Sequence, residues 1–299
     1  MTERIRESSL EGEEPKVGRE ISIEELSIQT ECREFVESHK ETVLDGLGRL
    51  IKDNRFVLCG DYHSPEAEQI QCAIAESLSK LRDQGLKKVC LEVGYDKQEM
   101  IDGLNYNDPN IKDVLKKMEL GVPKWFDGNY DILIAAKRAG LKVQFIDYPN
   151  KQLPGYGKDM ALWSNSRDEK MFSIVKEDSE ENDKTLIVIG SKHVYKNVVD
   201  KHGKGKGENR KYEEIKVLGT HLSEKYGSEN VASIRLVLSS EPFDYIPGSK
   251  HYVPGLKVEP TKTPTPKELY EKQNEPVILP DGGPIKGEVA VADYIITII

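Results

Sequence analysis

Residues 55–63 read RFVLCGDYH, and residues 184–193 read KTLIVIGSKH. Each is a short apolar run closed by a glycine, with a histidine three positions after that glycine. Runs this short, bounded by glycine and rich in branched residues, predict buried strands rather than helices. Glycine directly after a strand lets the backbone turn sharply or approach a neighbour closely. The two segments therefore predict two strands that deliver His63 and His193 to equivalent places.

The same pattern extends outward along the chain. Lys88–Val93 (KVCLEV) and Leu141–Ile146 (LKVQFI) read as two further strands, the first carrying Glu92 near its carboxyl end and the second running into Asp147. Helical periodicity fills the intervals, over about Glu31–Lys52, Pro65–Asp83, Ile111–Leu120, Tyr130–Ala139 and Asp159–Lys176. Gly85 predicts a helix C-cap. Lys201–Lys211 (KHGKGKGENRK) reads as a charged, glycine-rich loop, and lacks the order of a P-loop. A helix over Tyr212–Tyr226, a strand near Ala232–Leu238 and a closing strand in Glu288–Ile299 complete the series. Strands that are nearly continuous apolar runs, alternating with helices, predict an α/β fold with a mostly parallel central sheet covered on both faces.

The boundaries of that domain follow from composition. Residues 1–28 form a polar N-terminal tail. Residues 29–299 make a single α/β domain, in which the Pro- and Gly-rich stretch 241–287 reads as an excursion from the core. The chain has 299 residues, 32% of them charged, and a formal net charge of -9, which disfavours non-specific nucleic-acid binding. No apolar run approaches the roughly 20 residues of a membrane span, and the first residues lack the apolar segment of a secretory signal. Cytoplasmic location is the resulting expectation. Cys32, Cys59, Cys72 and Cys90 form no C-x-x-C pair, and Cys59 and Cys90 fall in apolar runs, where they read as small buried hydrophobes.

In parallel α/β folds the carboxyl ends of the strands share one edge, and ligands bind there. His63, Glu92, Asp147 and His193 are all placed on that edge. Two histidines and a carboxylate suit a divalent metal with open positions. The same groups without a metal suit general acid–base work on water. Asp61, two residues before His63, reads as a further ligand or as a carboxylate that fixes an imidazole tautomer. The bland reading of one Gly-x-x-His is a chance match. Two copies, each following a buried-type strand, favour the site. Asp147 precedes Tyr148-Pro149, so ordinary turn chemistry competes there. In NSRDEKM (Asn165–Met171), Arg167 could bind a carboxylate through its planar fork, although the pattern alone reads as a solvated helix face.

Taken together these segments resemble the superfamily that contains the haem-binding uptake protein ChaN, the erythromycin esterases and the Tiki/TraB metalloproteases. GDYH (Gly60–His63), LEVGYD with Glu92, NSRDEKM with Arg167 and Met171, and IGSKHV with Gly190 and His193 stand in that family's order and spacing. The motif match spans Arg55 to Val194. One departure is Asp61, where ChaN-like and esterase-like members usually carry Glu; the shorter arm retracts the carboxylate. The resemblance implies an EreA/ChaN-like fold and makes Arg167 a site residue, anchoring a substrate anion or holding the site acids.

The function implied by that family is divided. Tiki-like members resemble metal-dependent proteases, erythromycin esterases resemble metal-free hydrolases, and ChaN-like members bind haem. Shared fold does not decide between them. The expectation is a hydrolase of an ester or amide bond. His63, Glu92, His193, Arg167 and Asp61 form its catalytic set, and His63, Glu92 and His193 are the ligands of a possible divalent metal. Its substrate is a small molecule or peptide with an anionic group. The alternative is a haem- or iron-binding protein of the ChaN type, for which Tyr62 and Tyr95 flank the site.

Overall fold

The sheet that positions the site begins two residues before the first described helix. The computed structural model describes residues 41–61, 68–118, 120, 127–177, 183–196, 200–204, 211–236, 276–280 and 293–298. In chain order the first half comprises β1 (Glu41–Thr42), α1 (Val43–Asp53), β2 (Phe56–Asp61), α2 (Glu68–Asp83), β3 (Leu86–Gly94), α3 (Gln98–Ile101), α4 (Ile111–Lys117) and α5 (Asp127–Arg138). The second half comprises β4 (Lys142–Asp147), α6 (Met160–Glu177), β5 (Lys184–Gly190), β6 (Asp200–Lys204), β7 (Lys211–Ile215), α7 (Leu218–Tyr226), β8 (Val231–Leu236), β9 (Pro276–Pro280) and β10 (Tyr294–Ile298).

The main sheet has eight strands in the order β1-β9-β10-β8-β2-β5-β3-β4. The six from β10 to β4 run parallel, while β9 is antiparallel to both of its neighbours. The expected α/β architecture, a mostly parallel sheet with flanking helices, is what the chain forms.

Side-chain alternation along the strands builds two cores. Val57, Cys59, Val89, Leu91, Leu186 and Val188 face Leu47, Ile74, Leu78 and Leu133 of α1, α2 and α5. Phe56, Leu58, Cys90, Ile187 and Ile189 face Met171, Val175, Leu218 and Leu222 of α6 and α7. Each fully buried aliphatic side chain contributes about 1.5–3 kcal/mol. Cys59 and Cys90 are buried free thiols within these cores, as their apolar context predicts. One charged residue enters the second core: Lys88 is buried, donating from Nζ to Gln144 Oε1 at 3.3 Å. The Gln144 amide in turn donates to the Ile174 carbonyl, so a polar bridge ties α6 to the sheet.

Local chemistry sets the element ends. Thr42 caps α1 by accepting from Asp45 N at 3.1 Å, and Asn54 closes it on the Leu50 carbonyl. Gly85 ends α2 at φ 108°, a left-handed value that glycine adopts without a Cβ penalty.

Two stretches differ from the sequence expectation. The charged segment Lys201–Lys211 supplies arms of an antiparallel hairpin, β6 with β7, rather than a continuous loop. Residues 212–215 belong to β7, so the helix expected from Tyr212 begins at Leu218. Glycine and lysine weaken any strand signal, and register with a partner strand, not local propensity, decides the pairing. Pro276–Pro280, inside the stretch read as an excursion, adds β9 to the sheet. Its apolar PVILP run has proline only at the strand ends, where the lost donors matter least. Residues 1–28, and most of 241–287, lie outside the described residues.

Candidate active site

The central parallel strands bring the expected residues to one edge. Asp61 at the end of β2 pairs in register with Gly190 at the end of β5, and Gly94 of β3 pairs with Asp147 of β4. Between Leu91 and Gly94, β3 takes three steps where β4 takes two, from Phe145 to Asp147. This bulge falls on Glu92 and Val93. Bulges re-aim side chains next to functional sites, and here the affected side chain is a carboxylate.

Arg167, from the middle of α6, is the hub of what gathers there. Its Nε donates to Asp147 Oδ1 at 2.8 Å and its Nη2 to Asp147 Oδ2 at 3.0 Å, a two-point pairing with the end of β4. Nη2 also donates to Glu92 Oε1. Nη1 points at His193 Nε2, 3.1 Å away. The other Glu92 oxygen accepts the Gly190 backbone N–H, so β5 holds the carboxylate of β3 in place. Glu92 and Asp147 are both buried, at 8% and 6% exposure, so the guanidinium is what makes two ionised carboxylates tolerable there. Burial opposes the charge on Arg167, but Glu92 and Asp147 outweigh it and raise the guanidinium pKa.

His193 lies in the turn that follows β5. Its Nδ1 is 2.7 Å from Asp168 Oδ1, the residue after Arg167 on α6. The same oxygen accepts the backbone N–H of Leu218, the first residue of α7. Asp168 is 1% exposed. An ionised carboxylate at Nδ1 requires an N–H there, and the guanidinium donor at Nε2 requires a lone pair. The neutral Nδ1–H tautomer satisfies both contacts. Burial pulls the imidazole pKa down, but Asp168 and then Glu92 pull it up, against Arg167, and the net direction is upward. Asp168 and Glu92 together outweigh burial and the guanidinium, which favours a proton on His193.

Gly60 closes the wall between β2 and β5. A Cβ at this position would lie 3.0 Å from Ser191 Cα and 3.2 Å from the Ile234 carbonyl. The glycine of the GDYH motif is thus needed for close approach of two strand ends. Ser191 is buried, and among the described residues its Oγ has no hydrogen-bond partner.

Of the residues expected on this edge, the structure gathers Glu92, Asp147, Arg167 and His193. Asp61 is placed by its backbone at the β2 end, and His63 lies outside the described residues. The sequence reading did not assign Asp168. It stands beside Arg167 in NSRDEKM, which on pattern alone reads as a solvated helix face, and neighbours on a helix point about 100° apart. Both face inward here, because α6 is overlaid by α7 on one side and by the sheet edge on the other. Arg167 was expected to anchor a substrate anion or hold the site acids; it holds the acids, with four N–H donors engaged.

Of the three expected metal ligands, Glu92 and His193 both engage the Arg167 guanidinium, and His63 lies outside the described residues. Among the described residues no group of three or more His, Cys, Asp or Glu side chains is arranged to hold a metal. Among the same residues no helix is long and apolar enough to cross a membrane.

No family model matches the sequence, and no curated protein does. Solved structures share its fold. A Bacillus cereus protein matches with a TM-score of 0.51 at 13% identity, covering 90% of this chain and 97% of its own. ChaN of Campylobacter jejuni, described with cofacially bound haem, matches at 0.50 and 11% identity over 89% and 95%. The erythromycin esterase EreC, as a mutant in its open conformation, matches at 0.50 and 13% identity over 85% and 92%. At these identities the likeness gives the fold alone, a mostly parallel α/β sheet with flanking helices.

Proposed function

We propose that this chain hydrolyses an ester or amide bond, with His193 moving the proton and Glu92 holding the attacking water. The observation that carries this reading is the fixed tautomer of His193, whose basic Nε2 faces Glu92 and Arg167. Asp168 and the Leu218 N–H hold the ring from behind. Glu92 Oε1 lies 3.9 Å from Nε2. When Arg167 Nη1 turns off the single Nε2 lone pair, one water can bridge that span with two hydrogen bonds of about 2.8 Å.

The steps follow from that geometry. With that lone pair free, Nε2 takes a proton from the bridging water as its oxygen attacks the carbonyl carbon, and the protonated Nε2 cannot take Arg167 Nη1 back. That N–H becomes available to the oxyanion forming on the carbonyl, so it stabilises the transition state more than the resting state. The imidazolium then gives its proton to the leaving oxygen or nitrogen, and the resting contact returns. Asp147 keeps the guanidinium in position throughout. Asp61, whose backbone pairs with Gly190 at the β2 end, and His63, two residues after it in the sequence, are the proposed partners for the leaving group. No step requires a metal, and the guanidinium between Glu92 and His193 supports writing the chemistry without one. The shared fold with an erythromycin esterase supports the reaction class.

The test is a panel of activated esters and anilides. The chain should turn over at least one member, and His193→Gln should remove that activity while circular dichroism stays unchanged. Turnover retained in His193→Gln would overturn the mechanism. Elemental analysis of protein purified without added metal should show no stoichiometric divalent ion. A stoichiometric ion lost with His63→Ala would favour metal chemistry, and a Soret band on haem titration with no turnover would favour the ChaN-type alternative.

A further inference from the structure

Because Arg167 is taken up by the site's own carboxylates, an anionic part of a substrate needs a different cation. One stands a single turn further along α6. Lys170 places Nζ 5.8 Å from the centroid of the Tyr148 ring. Among the described residues Lys170 makes no ion pair, and it is exposed. Tyr148 directly follows Asp147, and its backbone N–H donates to the Asp147 carboxylate at 2.8 Å. Tyr95 directly follows Gly94, which pairs in register with Asp147. The two tyrosine rings stack at 5.2 Å between centroids and 20° between planes. Both rings are thus delivered to the site's rim by the strand ends that hold Glu92 and Asp147.

Tyr95 remains 42% exposed. It also walls a cavity of about 310 Å³ that runs along the outer edge of β4 to Phe145 and Ile174. Arg167, Lys170 and Ile174 are spaced i, i+3 and i+7, which is one face of a helix. That face leads from the Arg167 cluster, past Lys170 over Tyr148, to the cavity. From Arg167 to Ile174 is a rise of about 10 Å along the helix. The occupant of this path is not an added strand. The Gln98 side chain already pairs with the free edge of β4, accepting from Phe145 N at 2.8 Å and donating to the Val143 carbonyl at 3.1 Å.

We infer that Tyr95, Tyr148 and Lys170 form a specificity subsite for a flat aromatic or conjugated group carrying a carboxylate. The ring lies against Tyr95 in the cavity mouth, and the carboxylate pairs with Lys170. Stacking supplies the preference for a flat group, and Lys170 supplies the preference for a negative one, while Lys137 on the cavity wall is already paired with Asp102. The inference rests on the hydrolase reading for the identity of the ligand as substrate, but not for its binding.

The experiment is calorimetric titration of the full chain with 2-naphthoate, cyclohexanecarboxylate and 2-naphthol, in a His193→Gln background as well as the parent. The parent should bind 2-naphthoate more tightly than either comparison ligand. Tyr95→Ala and Tyr148→Ala should each weaken 2-naphthoate by about three- to tenfold. Lys170→Ala should weaken it to the level of 2-naphthol while leaving 2-naphthol itself unchanged. His193→Gln should leave all three affinities intact, so binding survives even if the ester panel shows no turnover. Equal affinity for 2-naphthoate and cyclohexanecarboxylate, or no change on Tyr95→Ala and Lys170→Ala, would overturn the subsite even if the chain is a hydrolase.

Discussion

Asp168 and His193 meet through Oδ1 and Nδ1 at 2.7 Å, and the same carboxylate oxygen receives the first backbone N–H of α7. One side chain therefore fixes both the tautomer of the base and the docking of the helix above it. In Asp168→Ala neither contact remains, and nothing keeps the proton on Nδ1 with Nε2 unprotonated. We expect kcat to fall by about 10³- to 10⁴-fold, in line with other histidine bases deprived of their carboxylate, while KM changes little. A kcat within tenfold of the parent would show that the pair does not orient the base.

The raised pKa of His193 gives two pH dependences of opposite sense. Activity needs the neutral imidazole, so kcat/KM should rise with pH, with an apparent midpoint above the ordinary 6.5. Stability runs the other way. The folded chain binds the proton more tightly than the unfolded chain does, so this contribution is complete below pH 6.5. It is lost as pH rises through the folded value. Denaturation curves of the parent and His193→Gln should converge as pH rises and separate as it falls towards 6. A midpoint for kcat/KM below 6.5 would contradict the assignment of His193 as the base.

Arg167 links three strand-end groups, so its removal should be felt in the fold as well as in catalysis. Arg167→Met leaves Glu92 and Asp147 buried without a counter-charge. Breaking a buried pair in this way costs about 3–5 kcal/mol at neutral pH. The deficit should shrink in mild acid, where either carboxylate can take a proton and become neutral. Urea unfolding of the parent and variant at pH 7 and pH 5 measures the difference. An equal deficit at both values would place the cost in lost packing rather than in charge.

The legible part of this molecule was the part that a short apolar run ending in glycine encodes. β2, β3, β4 and β5 follow from such runs, and with them the edge on which Glu92, Asp147 and His193 stand. Their parallel order could not be read, because β5 inserts between β2 and β3 through pairings as distant in the chain as Phe56 with Thr185 and Val89 with Leu186. Asp168 was hidden for a different reason. A helix buried on two sides shows inward-facing polar residues more than one stripe wide, and a sequence reader takes such width for solvent exposure. The β6–β7 hairpin was hidden because lysine and glycine carry no strand signal of their own. Tyr95 and Tyr148 each follow a strand-end segment, yet their stacking depends on the Gly94–Asp147 register, which no local pattern states.

Gly60 tests whether the β2–β5 contact serves the site or only the sheet. A methyl group there meets two backbone atoms, Ser191 Cα at 3.0 Å and the Ile234 carbonyl at 3.2 Å, and one side-chain atom, Ser191 Oγ at 3.2 Å. Backbone within a central parallel sheet gives way less easily than a side-chain tip, so Gly60→Ala should destabilise the fold by about 1–3 kcal/mol. The push falls on Ser191, one residue after the Gly190 N–H that holds Glu92 and two before His193. Activity should therefore drop more than the unfolded fraction accounts for, measured at a temperature where the variant is fully folded. Adding Ser191→Gly removes one of the three contacts and leaves both backbone ones, so it should recover less than half of the lost stability. Full recovery would mean that the Ser191 hydroxymethyl, and not the approach of the strands, demands glycine at the end of β2. A Gly60→Ala variant with parental stability and turnover would mean that the strand ends can separate freely, and the tight placement of Gly190 against Glu92 would then not be needed for catalysis.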